Sequence, residues 1–158
     1  MSDNYKNIVS IVDKNSEVHL FLLWEKSRAH ERKILNYIES NFNIINVTEI
    51  TWSEKYFSSN LSRFYGENMP KGCHKEVHCG KGPMLAIIVE DANPQYSVRL
   101  TSKGNQEVNI NIFDAKRKFR DWTGGGHKIH ATNTRDEANH DLMLLLGKNT
   151  EDYKKGKN

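Results

Sequence analysis

The chain has 158 residues, of which 37% are hydrophobic and 27% are charged, and its formal net charge is +3. This length suits one domain with its own core and is too short for two ordinary domains. The weak positive charge does not indicate a dedicated nucleic-acid binder, and the chain has no apolar run of about 18 residues that would span a membrane. Since the N-terminal sequence MSDNYKN lacks the apolar core of a secretory signal, we expect a cytoplasmic protein.

In the first third of the chain, apolar runs and turn signals predict two strands around a helix. Residues 1–16 are polar and are expected to form a tail or an extra edge element. From Glu17, the segment VHLFLLWE is apolar, aromatic-rich and only as long as a strand. Residues 26–42 predict a helix because their apolar side chains recur at helical spacing, and the β-branched residues 44–52 predict a second strand.

The middle of the chain combines short helices with one clear strand. Residues 53–66 predict one or two short helices, whose inner faces would carry Tyr56, Leu61, Phe64 and Tyr65. Glycines then break the chain before MLAIIVED at 84–91, which predicts a third strand. Residues 96–104 are expected to be extended. The segment 109–122 suits either a helix or a strand, and its charged second half favours a helix or a turn.

The last elements are a short strand and a helix. KIHAT at 128–132 predicts the strand, and residues 134–147 predict the helix. Asn133 or Thr134 suits the N-cap, and Gly147 suits the C-cap.

The order of these elements predicts an α+β fold. It matches a βαββαβ sandwich, in which an antiparallel sheet has helices packed on one face. We place this domain at residues 17–148 and expect a basic tail at 149–158.

His130 lies at the end of the short strand, between the glycines of 124–126 and the last helix. Free backbone N–H groups of such a loop and of a first helical turn favour an anion, and an imidazole nitrogen is a good phosphoryl acceptor. The sequence therefore indicates His130 as a candidate nucleophile for phosphate. The alternative is a half-buried strand histidine satisfied by local hydrogen bonds.

The segment HKIHATNTRDEANHDL resembles the signature of the nucleoside diphosphate kinase family, Asn-x-x-His-Gly-Ser-Asp-Ser followed by an alanine and a glutamate. In this register His130 matches the phosphorylated histidine and Thr132 the signature serine. Ala138 matches the alanine and Asp141 the glutamate. GPMLAIIVED also resembles the family's Gly-Pro strand. The resemblance implies the family's ferredoxin-like fold, with Thr132 and Asp141 orienting His130.

The resemblance also implies a set of basic side chains that bind phosphate. Arg99 falls where the family has a phosphate-binding arginine, and Arg120, or alternatively Arg117, would be the second. Lys26 lies two residues beyond the position of the family's strand lysine. It would share a face with Trp24, and could reach a phosphate, only if the strand stays regular.

The chain departs from the family's signature around His130. His127 replaces the asparagine, Ala131 the glycine and Asn133 the aspartate. Tyr65, with Phe64 beside it, is a candidate for the family's tyrosine and base-stacking positions.

If the family's activity is retained, a nucleoside triphosphate binds with Mg²⁺ and its γ-phosphate passes to His130. A nucleoside diphosphate or another acceptor then takes it in a ping-pong reaction. The resemblance further implies assembly into homo-oligomers. Two alternatives stay open: a catalytically silent nucleotide-binding or regulatory module, and a kinase for a non-nucleotide acceptor.

A second constellation consists of Cys73, His74, His78 and Cys79. Thiolates and imidazoles are zinc ligands, but this spacing, with no second pair elsewhere, fits no standard finger. We expect a surface loop without a metal. RNA binding is a further alternative because this sandwich also serves as an RNA platform, although the strands lack the aromatic pattern of such domains.

Overall fold

The computed structural model describes residues 15–156, so residues 1–14 of the predicted N-terminal tail lie outside the described residues. Within this range the strands are β1 (Glu17–Leu23), β2 (Asn43–Ile50), β3 (Met84–Asp91), β4 (Tyr96–Thr101), β5 (Gly104–Asn109) and β6 (Ile129–Ala131). The α-helices are α1 (Glu31–Asn41), α2 (Phe57–Tyr65), α3 (His74–Cys79), α4 (Ile110–Trp122), α5 (Arg135–Leu146) and α6 (Thr150–Gly156). Short 3-10 helices, Glu25–His30 and Glu54–Tyr56, precede α1 and α2.

One antiparallel sheet contains β2, β3, β1 and β6 in that spatial order. Helix α1 connects β1 to β2, and α4 lies between β3 and β6 in the chain. This arrangement confirms the predicted α+β, ferredoxin-like βαββαβ fold. The strands β4 and β5 form a separate antiparallel hairpin, inserted between β3 and α4.

Strand β1 is buried along its whole length because both faces of the sheet are covered. Side chains alternate across a strand, so Phe21 and Leu23 pack in the core beneath α1 and α4. Leu22 and the following Trp24 pack on the opposite face with residues of α2, α5 and α6. The βαββαβ unit supplies α1 and α4, and the other four helices cover the second face. This two-sided burial explains why β1 is an apolar run without alternation.

Several predicted boundaries are confirmed by the hydrogen bonds that define them. The Thr134 hydroxyl accepts from the backbone N–H of Glu137 and caps α5. Gly147 ends that helix with φ of 72°, in the left-handed region that glycine tolerates. The ambiguous segment 109–122 is helical because Asn109 caps it, accepting from two backbone N–H groups of the first turn.

Two segments predicted as a loop and a tail are helical. The predicted surface loop at 73–79 contains α3, which buries Glu76 and Cys79. The predicted C-terminal tail contains α6, which places Tyr153 in the core. Neither segment has the apolar stripe that marks a helix in a sequence, so tertiary contacts hold it. Tyr56, predicted to face inwards, is exposed because α2 begins one residue later and buries Phe57 instead.

None of the helices in the described range is long and apolar enough to cross a membrane.

Candidate functional site

His130 lies on β6, at the edge of the sheet, opposite Leu22 of β1. Its ring contacts two aromatic rings at the end of α2, with centroid distances of 4.7 Å to Phe64 and 5.5 Å to Tyr65. The His130 side chain retains 12% of its exposure. These contacts fix the plane of the imidazole and leave part of it open to solvent.

Asp141 holds one nitrogen of that imidazole. His130 Nε2 lies 2.6 Å from Asp141 Oδ2, and the other carboxylate oxygen lies 2.8 Å from His140 Nδ1. Because a carboxylate only accepts hydrogen bonds, Nε2 carries the proton. Nδ1 makes no hydrogen bond within the part of the chain described. In the neutral imidazole, Nδ1 is then the unprotonated nitrogen, the form a nucleophile requires.

Three basic side chains, which influence one another's charge, lie beside residues that neighbour His130 in the sequence or contact its ring. Arg120 Nε donates to the Ile129 carbonyl at 3.0 Å. The ammonium group of Lys116 donates to Asn133 Oδ1 at 2.9 Å, and that of Lys75 lies 4.4 Å from the Tyr65 ring centroid. Among the described residues, none of the three cations pairs with a carboxylate within salt-bridge distance. Arg120, with Nε held by the backbone, keeps both terminal nitrogens available to an anion.

Burial and mutual repulsion act on these basic groups. Burial, followed by the charge of Arg120, lowers the pKa of Lys116 to about 8. Burial and the charge of Arg120 also lower the pKa of Lys75, although the nearby Cys79 acts in the opposite direction. Desolvated cations without a counter-ion are costly, and a bound anion relieves that cost. The cluster therefore has the electrostatic character of a phosphate site.

The glycine loop brings His127 to the same surface. Gly124, Gly125 and Gly126 all have φ between 78° and 85°, a region that side chains other than glycine's rarely adopt. The carbonyl of His127 accepts from the Cys79 thiol at 3.4 Å, which joins the loop to α3. Burial, then the charges of Lys75 and Arg120, lowers the pKa of the His127 imidazole.

Thr132 and Lys26 do not occupy the positions predicted for them. The Thr132 hydroxyl lies 2.8 Å from His19 Nδ1 and accepts from the Leu20 N–H, so it does not orient His130. The reason is that β6 ends at Ala131 and the chain turns Thr132 towards β1. Lys26 belongs to a 3-10 helix because β1 ends at Leu23, and its ammonium group donates to the Val77 carbonyl at 2.8 Å.

Arg99 and Arg117 also lie apart from this cluster. Arg99 is on the β4–β5 hairpin and pairs with Asp114 at 3.1 Å. The extended segment after β3 thus forms an inserted hairpin, and Arg99 is engaged there rather than at His130. Arg117 is exposed on α4 and stacks on Phe113, 5.1 Å from the ring centroid. The structure brings together His130, Asp141, Arg120, Tyr65 and His127 from the predicted set.

Sequence reasoning missed Lys75, Lys116 and Glu137 at this site. Lys116 precedes Arg120 by four residues, so the two share one face of α4, and this spacing was a usable signal. Lys75 lies in the segment predicted to be a loop. Glu137 Oε1 lies 3.7 Å from His130 Nε2, one helical turn before Asp141.

The thiols and imidazoles of the predicted zinc alternative do not converge. In the described residues, no three ligand atoms of Cys73, His74, His78 and Cys79 come within 4.8 Å of one another. The His74 and His78 rings instead stack, with centroids 5.5 Å apart. Burial raises the pKa of the Cys79 thiol to about 11, which keeps it protonated and unsuited to bind a metal.

Two surface cavities lie away from His130. One of about 420 Å³ is bordered by Asn41, Asp91 and Asn111. The other, of about 550 Å³, is bordered by Lys26 and Glu76. The basic cluster borders neither of them.

Comparison with protein-family models gave no match, and neither did comparison with curated proteins. Solved structures do match. A nucleoside diphosphate kinase from Aquifex aeolicus is 16% identical, with 83% of this chain and 95% of that chain covered and a TM-score of 0.52. An apo nucleoside diphosphate kinase from Encephalitozoon cuniculi is 13% identical, with 84% and 90% covered and the same TM-score of 0.52. The chain therefore has the ferredoxin-like fold of these nucleoside diphosphate kinases.

Proposed function

We propose that the protein is a divergent phosphotransferase, similar to nucleoside diphosphate kinases, that carries a phosphoryl group on Nδ1 of His130. The observation that carries this proposal is the 2.6 Å contact between His130 Nε2 and Asp141, which leaves Nδ1 without a hydrogen bond among the described residues. A nucleoside triphosphate is the donor, and a nucleoside diphosphate or another phosphate compound is the acceptor. Homo-oligomeric assembly stays a prediction.

In the first half-reaction, the lone pair of Nδ1 attacks the γ-phosphorus of the donor. The bond from that phosphorus to the bridging oxygen breaks, and the nucleoside diphosphate leaves. Asp141 stabilises the positive charge that develops on the imidazole, because it already accepts from Nε2. In the second half-reaction, an acceptor oxygen attacks the phosphorus and Nδ1 recovers its lone pair.

The basic side chains stabilise the charge on the transferring group. Arg120 presents a planar fork to phosphate oxygens, and Lys116 and Lys75 add point charges. Phosphoryl transfer depends mainly on such positioning and electrostatics. Mg²⁺ suits this arrangement because it binds through nucleotide phosphates and water more than through protein ligands. When bound with the nucleotide, it would neutralise phosphate charge.

A second candidate is a catalytically silent nucleotide-binding module. The position of the family's strand lysine holds Trp24, which is fully buried. Lys26 is engaged by the Val77 carbonyl, so neither residue supplies a charge at His130. This candidate retains binding by the basic cluster and lacks transfer.

Incubation with γ-labelled ATP and Mg²⁺ separates the two candidates. We expect an acid-labile, base-stable label that is absent from His130→Ala. Asp141→Asn should lower the labelling rate about 100-fold, the scale of a lost proton-positioning group. The matched control His30→Ala removes an exposed histidine just before α1 and should label normally.

The silent module predicts a different result. Calorimetry would then detect Mg·ADP binding that Arg120→Met weakens, while no label appears on any variant. Label on a residue other than His130 would contradict the phosphohistidine mechanism.

A further inference from the structure

Two carboxylates converge on the same imidazole nitrogen of His130. Asp141 Oδ2 lies 2.6 Å from Nε2, and Glu137 Oε1 lies 3.7 Å from it. All three ligand atoms lie within 4.8 Å of one another. Nε2 carries a single proton, which Asp141 already accepts, so hydrogen bonding does not explain the second carboxylate.

These separations suit a small divalent cation. Zn²⁺ binds imidazole nitrogen and carboxylate oxygen at about 2.0–2.2 Å, which places tetrahedral ligands roughly 3.3 Å apart. The Nε2 to Glu137 distance of 3.7 Å is close to that value. The Nε2 to Asp141 distance of 2.6 Å would need to open by about 0.7 Å, which is a side-chain adjustment.

The carboxylates of Asp141 and Glu137 lie in different surroundings. The Asp141 side chain retains 3% of its exposure, and His140 Nδ1 holds its second oxygen at 2.8 Å. A group that orients a ligating carboxylate in this way strengthens a metal site. The Glu137 carboxylate accepts no hydrogen bond from the described residues and is partly exposed. It is therefore free to bind an ion that enters from solvent.

We propose that His130, Glu137 and Asp141 form a binding site for a divalent transition-metal ion of the zinc type, with water as the remaining ligand. A ligand set with one imidazole suits Zn²⁺ or Co²⁺ better than Mg²⁺, which prefers oxygen ligands. The metal replaces the Nε2 proton. As a consequence that rests on the proposed function, bound Zn²⁺ inhibits phosphoryl transfer, because it withdraws electron density from the ring.

Nearby charges set the strength of this site. Lys116 is within electrostatic range of Glu137, and its positive charge opposes a second cation. We therefore expect Lys116→Met to bind Zn²⁺ more tightly than the wild type.

The test is calorimetric titration of the full chain with Zn²⁺, together with visible absorption of the Co²⁺ complex, in the absence of nucleotide. The expected result is a single ion per chain and a Co²⁺ spectrum typical of mixed nitrogen and oxygen ligands. Glu137→Gln should weaken binding at least about tenfold, as even the loss of a group that only orients a ligand weakens metal sites 10- to 100-fold. Asp136→Asn removes the neighbouring exposed carboxylate and should leave the affinity unchanged.

Other outcomes overturn the inference. Equal affinities for wild type and Glu137→Gln would do so, as would loss of binding in Cys73→Ser, which would place the ion at α3. Because binding is measured without nucleotide, it is independent of transfer. A protein that binds Zn²⁺ but takes no label from ATP would refute only the proposed function, and a labelled protein that binds no Zn²⁺ would refute only this inference.

Discussion

Lys116 is a buried amine whose charge depends on pH within an accessible range. It retains 7% of its exposure, and burial, with the charge of Arg120, lowers its pKa to about 8 from the usual 10.5. The folded protein therefore holds this charge below about pH 8 and releases the proton above it. A bound phosphate favours the charged form, so binding and protonation are linked.

We expect the affinity for Mg·ADP to fall as pH rises above about 8. The limiting slope approaches tenfold per pH unit, because one proton is taken up on binding. Lys116→Met should bind more weakly at pH 7 and lose this dependence. Calorimetry across pH 7 to 10 measures both effects, and Lys118→Met, an exposed lysine on the same helix, is the control. If the affinity for Mg·ADP depends on pH in the same way in wild type and in Lys116→Met, the charge of Lys116 does not control binding.

At the scale of elements, the glycine loop at 124–126 packs closely against α3. Gly126 has φ of 78°, and a Cβ atom there would collide with Nε2 of His78. Gly66, which ends α2, has a similar φ of 70°, but a Cβ atom there would meet no heavy atom of the described residues within 4 Å. The two glycines share backbone strain and differ in this contact.

Gly126→Ala should therefore destabilise the protein more than Gly66→Ala. Left-handed backbone costs an alanine about 1–2 kcal/mol at either site, and the collision adds to that cost only at Gly126. Urea denaturation of both variants measures the difference. Adding His78→Ala to Gly126→Ala should bring the loss of unfolding free energy close to that of Gly66→Ala. If the double variant is as unstable as Gly126→Ala, the contact with His78 is irrelevant.

The elements that the sequence predicted well are those with local signals. MLAIIVED gives the bounds of β3 because an apolar run is enclosed by Pro83 and polar residues. Helix α5 has both a side-chain cap and a glycine stop. Helix α3 ends at Gly80 but has no side-chain cap at Cys73, and its sequence HKEVHC shows no apolar stripe, so tertiary packing is needed to reveal it.

The residues of the candidate site also fall into those with a sequence signal and those without one. The resemblance to the kinase signature was enough to pair His130 with Asp141, because the two lie on a short strand and the helix that follows it. Lys75 could not be predicted, because basic side chains on short polar helices are normally solvated, and the only signal for Lys116 was its four-residue spacing to Arg120. Arg99 was misplaced because nothing in YSVRLTSKG distinguishes an inserted hairpin from a phosphate-binding segment.

At the scale of the whole molecule, one buried polar network joins the separate parts of the fold. His19 on β1 contacts Glu17 and Thr132, at 2.9 and 2.8 Å. Asn109, at the end of β5, donates to Asp91 on β3 at 3.0 Å. Tyr96 on the hairpin donates to Glu17 at 2.9 Å. The network thus ties the hairpin, the central strands and the loop after His130 together.

Glu17 makes this network sensitive to acid. Burial alone would raise the pKa of its carboxyl, but hydrogen bonds from His19, Tyr96 and Asn109, with the charge of His19, outweigh burial and lower it below 4.5. A depressed carboxyl pKa stabilises the fold above the unfolded value, and this stabilisation is lost as pH falls through the folded value.

Glu17→Gln should accordingly lose about 1–3 kcal/mol of unfolding free energy at pH 7, the scale of buried hydrogen bonds to a charged group. The difference from wild type should shrink as pH falls below 4.5. Denaturant titrations at several pH values measure it, with the exposed Glu107→Gln on β5 as control. A loss that does not vary with pH would show that the charge of Glu17 is not involved.

Trp24 gives this protein an internal optical reporter. Its indole lies 6.3 Å from the Tyr65 ring, which in turn lies 5.5 Å from the ring of His130. Indole emission responds to charge nearby, so a change in the charge of His130 should alter the intrinsic fluorescence. The tryptophan that stands where the kinase family has its lysine would then report a change of charge at the histidine without a label.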